Sequence, residues 1–439
     1  MTSKSRMMIA VAGALSLGAA AWAETAQDSR IKELEAKVAS LEARQAASSK
    51  DLAATIDSVL RDAERRSQLL ANGADSGAGY DNGFFIRMGD AWVLRPTAQF
   101  QFRHVVNYRD NAEGDDSSIE NGFEVRRMKF GLEGVAFTKD LTYKFEWATE
   151  RDGGALVLED AWAKYMFADA WGVRMGQFKT PVFHEELTSS RRQLAVDRTM
   201  VNEVIGGGIS DRTQGVSLIY GNYDKNNPVY AEVAFHDGVG EANTNFVDDD
   251  YDWGVAARVE FKAMGDWKSY RDFTAMGNKE DLLVFGLGGD WSQNGDGDQF
   301  LGTLDAQWEN SAGLGIYAAG LVRHVELGDD IAGDDNFTDW GALVQIGYML
   351  NPNWEIFGRY DGLWFDEDLA GNDDDYHEFT VGVNYYMGKD GSAGHRAKFT
   401  VDLGYLPNGA PKELDGIGIL DANDGEDEWI LRAQFQLLI

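Results

Sequence analysis

Residues 428–438 read Glu-Trp-Ile-Leu-Arg-Ala-Gln-Phe-Gln-Leu-Leu. Trp429, Leu431, Ala433, Phe435 and Leu437 fall on one side of an extended chain, and Arg432, Gln434 and Gln436 on the other. Successive side chains of a β-strand point to opposite faces, so the alternation predicts a strand with one apolar and one polar face. Phe379, Val381, Val383 and Tyr385 oppose Glu378, Thr380 and Asn384 in the same way.

Working outward, sixteen such segments fall at roughly 92–108, 123–134, 141–150, 156–167, 171–178, 212–220, 229–236, 251–262, 281–291, 300–310, 313–325, 338–350, 353–365, 376–388, 396–405 and 428–438. Many are long enough for a tilted strand to cross a hydrocarbon layer. Their links alternate in kind. Short ones such as Thr-Lys-Asp, Ala-Asp-Ala, Asn-Ser-Ala-Gly and Asn-Pro-Asn lie at one end. At the other end lie long carboxylate-rich loops, with Asp248 to Asp250, Asp329 to Asp335, Asp366 to Asp375 and Glu413 to Glu428. Short turns on one side and long loops on the other are the pattern of an outer-membrane barrel. The link 263–280 is too long for a simple turn and is the awkward one. Trp147, Trp308, Trp340, Trp354 and Trp429 near strand ends suit an interfacial girdle better than a soluble sandwich or solenoid.

The chain has 439 residues, a mean hydropathy of -0.36 and no internal apolar run long enough for a membrane helix. Alternation hides a barrel's membrane signal, so polar hydropathy does not exclude the membrane. Residues 1–23 read as a secretory signal: Lys4 and Arg6, then an apolar Met7 to Leu17, then Ala21-Trp22-Ala23 as cleavage site. Within 24–70, residues 28–70 carry helical spacing. Ile31, Leu34, Val38 and Leu41 make an a/d seam, which resumes through Ile56, Val59, Ala63 and Leu70 after a stutter. A seam that narrow needs partner helices, so a self-associating periplasmic coil is expected, with a solvated helical linker as the alternative. Residues 71–83 are a flexible joint by composition, and 84–439 the barrel domain. The fold class is thus an all-β transmembrane barrel of about 16 antiparallel strands preceded by an α-helical coiled coil.

The chain has no cysteine, hence no disulfide and no thiolate nucleophile or metal ligand. A net charge of -33 argues against nucleic acid. The six histidines are scattered, Gly206-Gly207-Gly208 lacks the lysine of a phosphate loop, and nothing nominates a converging catalytic set. No catalytic residue and no cofactor is expected.

Residues 121–220 hold a linked series: Phe123-Glu124-Val125-Arg126-Arg127, Gly131-Leu132-Glu133-Gly134, Tyr143-Lys144-Phe145-Glu146, Glu159-Asp160-Ala161-Trp162, Arg174 to Pro181 and Glu185 to Arg191. This series resembles the phosphate-selective porin O and P family. The resemblance implies a sixteen-stranded barrel, a homotrimer, and a third outer loop folded inward to narrow the pore. The strand count places that loop at 179–211. One departure is the C-terminus, Leu437-Leu438-Ile439, where such barrels end in an aromatic residue.

Alternation also assigns the lumen: Arg127, Lys129 and Glu133, Lys144 and Glu146, Arg258 and Glu260, Arg359 with Glu355 and Asp361, Lys398 with Asp402, and Arg432. The sharper expectation is an anion path through Arg127, Lys129, Lys144, Arg174, Lys179, Arg191, Arg192 and Arg198. The blander one pairs these with Glu133, Glu146, Glu185, Glu186, Asp197 and Glu203, since charge across 179–211 is near neutral. A porin for small solutes follows, anion-preferring and with phosphate as the candidate anion. A sugar or neutral-nutrient porin, or a barrel-anchored tether whose coil meets the cell wall, are the alternatives. Expected partners are outer-membrane lipid and lipopolysaccharide, with divalent cations at the acidic loops a further option.

Overall fold

The computed structural model describes residues 37–38, 76–81, 83–89, 91–109, 118–207, 211–247, 251–295, 297–328, 336–366, 375–420 and 426–439. The signal segment, nearly all of the coil, and Asp248 to Asp250, Asp329 to Asp335, Glu367 to Asp374 and Asp421 to Gly425 lie outside the described residues. The chain divides between Asp75 and Ser76.

The second unit begins with a hairpin, β1 (Ser76–Tyr80) and β2 (Phe84–Met88). Then come β3 (Trp92–Arg109), β4 (Ser118–Ala136), β5 (Thr138–Thr149), β6 (Leu156–Met166), β7 (Trp171–Lys179), β8 (Arg212–Tyr220), β9 (Val229–His236) and β10 (Trp253–Met264). The wall continues with β11 (Leu282–Asn294), β12 (Gly297–Glu309), β13 (Leu314–Glu326), β14 (Asn336–Asn351), β15 (Trp354–Trp364), β16 (Asp375–Tyr386), β17 (Ala397–Leu406) and β18 (Glu428–Leu438). From β3 onward each strand pairs antiparallel with the next, and β18 returns to β3 along Gln99 to Arg109, so sixteen strands close a barrel. The closing ladder runs to the last residue, with Ile439 and Ala98 exchanging backbone hydrogen bonds of 2.9 Å.

Within the joint expected at 71–83, the described part Ser76–Tyr80 is a strand of this hairpin instead; 71–75 lie outside the described residues. Ser76–Tyr80 is rich in Gly and Ala, yet it pairs residue by residue with β2, and β2 pairs Ile86 to Met88 with Trp92 to Leu94. That stretch of β3 extends beyond the reach of β18, so an unpaired backbone edge was available to order the segment.

The alternation is explained by the two solvents of the wall. Leu287, Leu304, Val381 and Leu431 are exposed on the outer face, while Arg258, Glu260, Asp305, Glu378 and Arg432 are buried inside. Aromatic pairs mark both rims. Trp171 with Tyr220 and Trp354 with Tyr385 lie at the short-turn end, and Trp253 with Trp291 and Tyr405 with Trp429 at the long-loop end. Their centroids lie 4.3 to 5.0 Å apart. Such rings favour the membrane–water boundary, where one edge is apolar and the other wet.

The link after β10 is long because it folds inward. Its Trp267, Tyr270 and Phe273 are buried, and Thr274 donates to Glu355 on β15 at 2.6 Å.

Candidate functional site: a charged constriction at an inward loop

Residues 180–207 leave β7 at the long-loop end and turn into the lumen, where they form three short turns: His184–Leu187, Ser190–Arg192 and Met200–Val204. The loop stays there because one side is apolar and the wall facing it is thin. Val182, Leu194, Met200, Val201 and Ile205 are buried. Glycines make room: a Cβ at Gly288 would stand 2.1 Å from the Val182 carbonyl, and one at Gly341 2.7 Å from Ile205. Wall side chains then satisfy the loop backbone. Arg258 and Thr303 both donate to Val182 O at 2.9 Å, Lys398 to Gln193 O at 2.8 Å, and Arg359 to Asp197 O at 2.8 Å. Asp402 accepts from Val196 N at 2.9 Å. Buried loop backbone is tolerable only when paired in this way.

The loop's charged side faces β3 to β8. Asp197 is buried and meets Arg103, Arg126 at 3.1 Å and Arg127 at 2.9 Å. Burial works to raise its pKa, but Arg126, Arg103 and Arg127 outweigh it and hold the carboxyl well below its usual range. Two consecutive arginines can turn inward because β4 is bulged: Gln101 pairs with Arg127 and Phe102 with Val125, leaving Arg126 as the extra residue. A second bulge does the same for Glu159 and Asp160 on β6.

A cavity of about 320 Å³ lies between this side of the loop and the wall. It brings together Arg127, Lys129, Lys144, Lys179 and Arg198, five of the eight residues expected on the anion path. Arg126 and Arg212 join them unforeseen. The bulge hid the first, and the second begins β8, just past the expected loop. Each cation has a partner. Lys129 and Arg212 share Glu159, Lys144 bridges Asp160 and Glu146, and Lys179 contacts Glu186 and, at 3.2 Å, Asp211. Arg198 meets Glu186 at 3.1 Å. Of the partners expected from sequence, Glu146, Glu186 and Asp197 serve; Glu185 instead accepts from Thr199 Oγ1 at 2.6 Å, and the Glu203 side chain accepts from Asn202 at 3.4 Å. Seven cations face six carboxylates in the cavity lining.

Glu186 is the group here that titrates near neutrality. Burial pushes it up to about 7, and Asp211 adds to this, against the pull of Arg198 and Lys179. Asp211 goes the other way: burial raises it, but Lys179 and Arg212 outweigh that and hold it well below the usual range. Gly207 packs on Glu186, since a Cβ there would stand 2.1 Å from its Cγ. Gly206 packs closely on Phe183 as well, so both glycines serve close packing.

Arg174, Arg191 and Arg192 are elsewhere. They line a separate cavity on the short-turn side of the loop, where Arg174 pairs with Glu232. The residues expected on one anion path thus fall into two separate cavities. Among the described residues no cluster of His, Asp and Glu is arranged to hold a metal ion.

Residues 99–299 match the sequence profile of the family described as phosphate-selective porin O and P. An uncharacterized protein of Aquifex aeolicus is 25% identical over 273 residues, which is 58% of this chain and 64% of that protein. The chain therefore spans less than two thirds of that relative's length. Among solved structures, OmpF of Salmonella typhi aligns with a TM-score of 0.53 at 16% identity, covering 82% of this chain and all of that one (100%). OprB of Pseudomonas putida aligns with a TM-score of 0.53 at 11% identity, covering 79% and 94%. At such identities these likenesses speak for the fold alone. The family resemblance and the closed sixteen-stranded wall agree on an outer-membrane barrel of the porin type.

Proposed function

Starting from an outer-membrane barrel of the porin type, we propose that this protein lets small solutes diffuse passively through its lumen, with a preference for anions. What carries this reading is the convergence of Arg126, Arg127, Lys129, Lys144, Lys179, Arg198 and Arg212 on the cavity where the inward loop narrows the passage. Arginine and lysine donors can replace part of an anion's hydration shell, which lowers the barrier at a constriction. Phosphate is the candidate anion by family resemblance. The near balance of seven cations and six carboxylates supports a moderate preference rather than a strict filter. A neutral-solute pore is the second reading, and the same balance is what favours it. The resemblance also supports a homotrimer, and the sequence patterns support residues 1–23 as an export signal and 24–70 as a periplasmic coil.

The test is single-channel recording of the purified protein in a planar bilayer under a KCl gradient, with phosphate then titrated in. A chloride-selective reversal potential and block by phosphate are expected, and Arg127→Gln should weaken both. Cation-selective or unselective steps that ignore phosphate would favour the neutral-solute pore.

A further inference from the structure

The cavity on the short-turn side of the inward loop, about 310 Å³, has two walls of different chemistry. One is aromatic. Tyr223 and Tyr230 stack with centroids 4.1 Å apart, and Trp267 meets Tyr223 edge-on at 5.2 Å. Their polar atoms are already committed. Tyr223 donates to Glu260 at 2.6 Å, Tyr230 to Glu232 at 2.9 Å, and Trp267 Nε1 to the Asn227 carbonyl at 2.6 Å. This wall therefore offers ring surface and few free hydrogen bonds.

The other wall is cationic. Arg174 pairs with Glu232, Arg258 with Asp305 at 2.8 Å, and Arg271 with Asp224 at 3.1 Å. Arg191 and Arg192, on the turn Ser190–Arg192, form no ion pair among the described residues. Two guanidinium groups thus line the cavity outside any ion pair, with Asp272 the leading opposite charge acting on Arg192. Both arginines also line a vestibule of about 590 Å³ at the short-turn mouth, next to the cavity.

No solute considered so far answers both walls. A ring face carries negative charge density and gains nothing from chloride or phosphate. A neutral sugar would stack on the rings but leave the two arginines unanswered. A ligand with both a flat apolar body and a negative charge answers both walls, and the volume sits at the low end of the roughly 300–1,000 Å³ of small-molecule sites. We propose that this cavity is a binding site for aromatic carboxylates, with the ring against Tyr223 and Tyr230 and the carboxylate on Arg191 and Arg192. Guanidinium and carboxylate match as a bidentate pair. The inference rests on the lumen being open to solutes, and not on its ion selectivity.

Equilibrium dialysis of the full-length protein in detergent against benzoate, acetate and benzyl alcohol, corrected for empty micelles, separates the two walls. Benzoate should bind on the order of tenfold more tightly than either of the others. Tyr223→Ala should remove its advantage over acetate, and the double variant Arg191→Gln/Arg192→Gln its advantage over benzyl alcohol. Tyr223→Phe keeps the ring and should keep the affinity, which guards against loss through misfolding. Benzoate held no better than acetate, or held equally by all three variants, overturns the inference. Binding of benzyl alcohol as tight as benzoate overturns it too. Chloride-selective channels without benzoate binding would sink this inference and leave the proposed function standing; benzoate-binding channels without anion preference would do the reverse.

Discussion

Arg103, Arg126 and Arg127 converge on one buried carboxylate, Asp197, whose backbone carbonyl is held in turn by Arg359. Removing one member of a buried ionic network leaves the others uncompensated, a cost of about 3–5 kcal/mol where nothing relaxes. Asp197→Asn should therefore loosen the inward loop and leave three arginines short of a counter-charge. The expected reading is a reversal potential shifted toward chloride with noisier open-channel current; an unchanged potential would mean these arginines are not on the ion path. Glu186 gives a pH dependence. Its carboxyl is pushed up to about 7 from an ordinary value near 4.5. Between these limits the folded protein holds a proton that the unfolded chain has lost, so this group's contribution to stability falls as pH rises and its full cost is present above about 7. For conduction, acidification from pH 8 to 5.5 neutralises Glu186 beside Lys179 and Arg198, and anion preference should rise. Asp272, on the inward link after β10, is also pushed up to about 7 by burial. Glu186→Gln should remove the part of the pH response that Asp272→Asn leaves intact.

At the scale of elements, the inward loop depends on what the facing strands lack. Gly341 on β14 admits Val201 and Ile205, and Gly347 admits Leu194. Overfilling a packed contact costs about 1–3 kcal/mol, so Gly341→Leu should displace the turn Met200–Val204. Larger conductance with weaker selectivity, in a barrel whose strand content by circular dichroism is unchanged, is the expected pair of results. Normal conductance would show that the loop tolerates the added volume. The strands themselves were legible from alternation because lipid outside and water inside impose a period of two on every one of them. β8, β9 and β18 fall at the very residues the pattern indicates. The bulges were not legible. Arg126-Arg127 and Glu159-Asp160 read as one inward and one outward residue each until the partner strand reveals the extra position.

For the whole molecule, the sixteen-stranded ring closes within Ser76–Ile439, where β18 meets β3. A chain lacking residues 24–75 should accordingly keep its conductance per pore in planar bilayers. A changed conductance would show that the first unit contributes to the permeation path, whereas reduced yield of trimers at constant conductance would fit an assembly role for the coil. The charge of -33 is concentrated in loops at one end, and the lumen stays near balance by pairing almost every cation locally.

The sequence by itself determined the architecture, because period, strand length and the asymmetry of links are one-dimensional properties that the membrane writes along the chain. It determined, too, which end carries the long loops and which loop is long enough to turn inward. Only the tertiary structure decided how the cations are shared out. Ion pairing depends on cross-strand register and on which carboxylate lies opposite, and neither can be read from spacing. That is why Arg127 and Lys129 share a cavity with Arg212, while Arg191 and Arg192 line another with tyrosines from the β8–β9 hairpin.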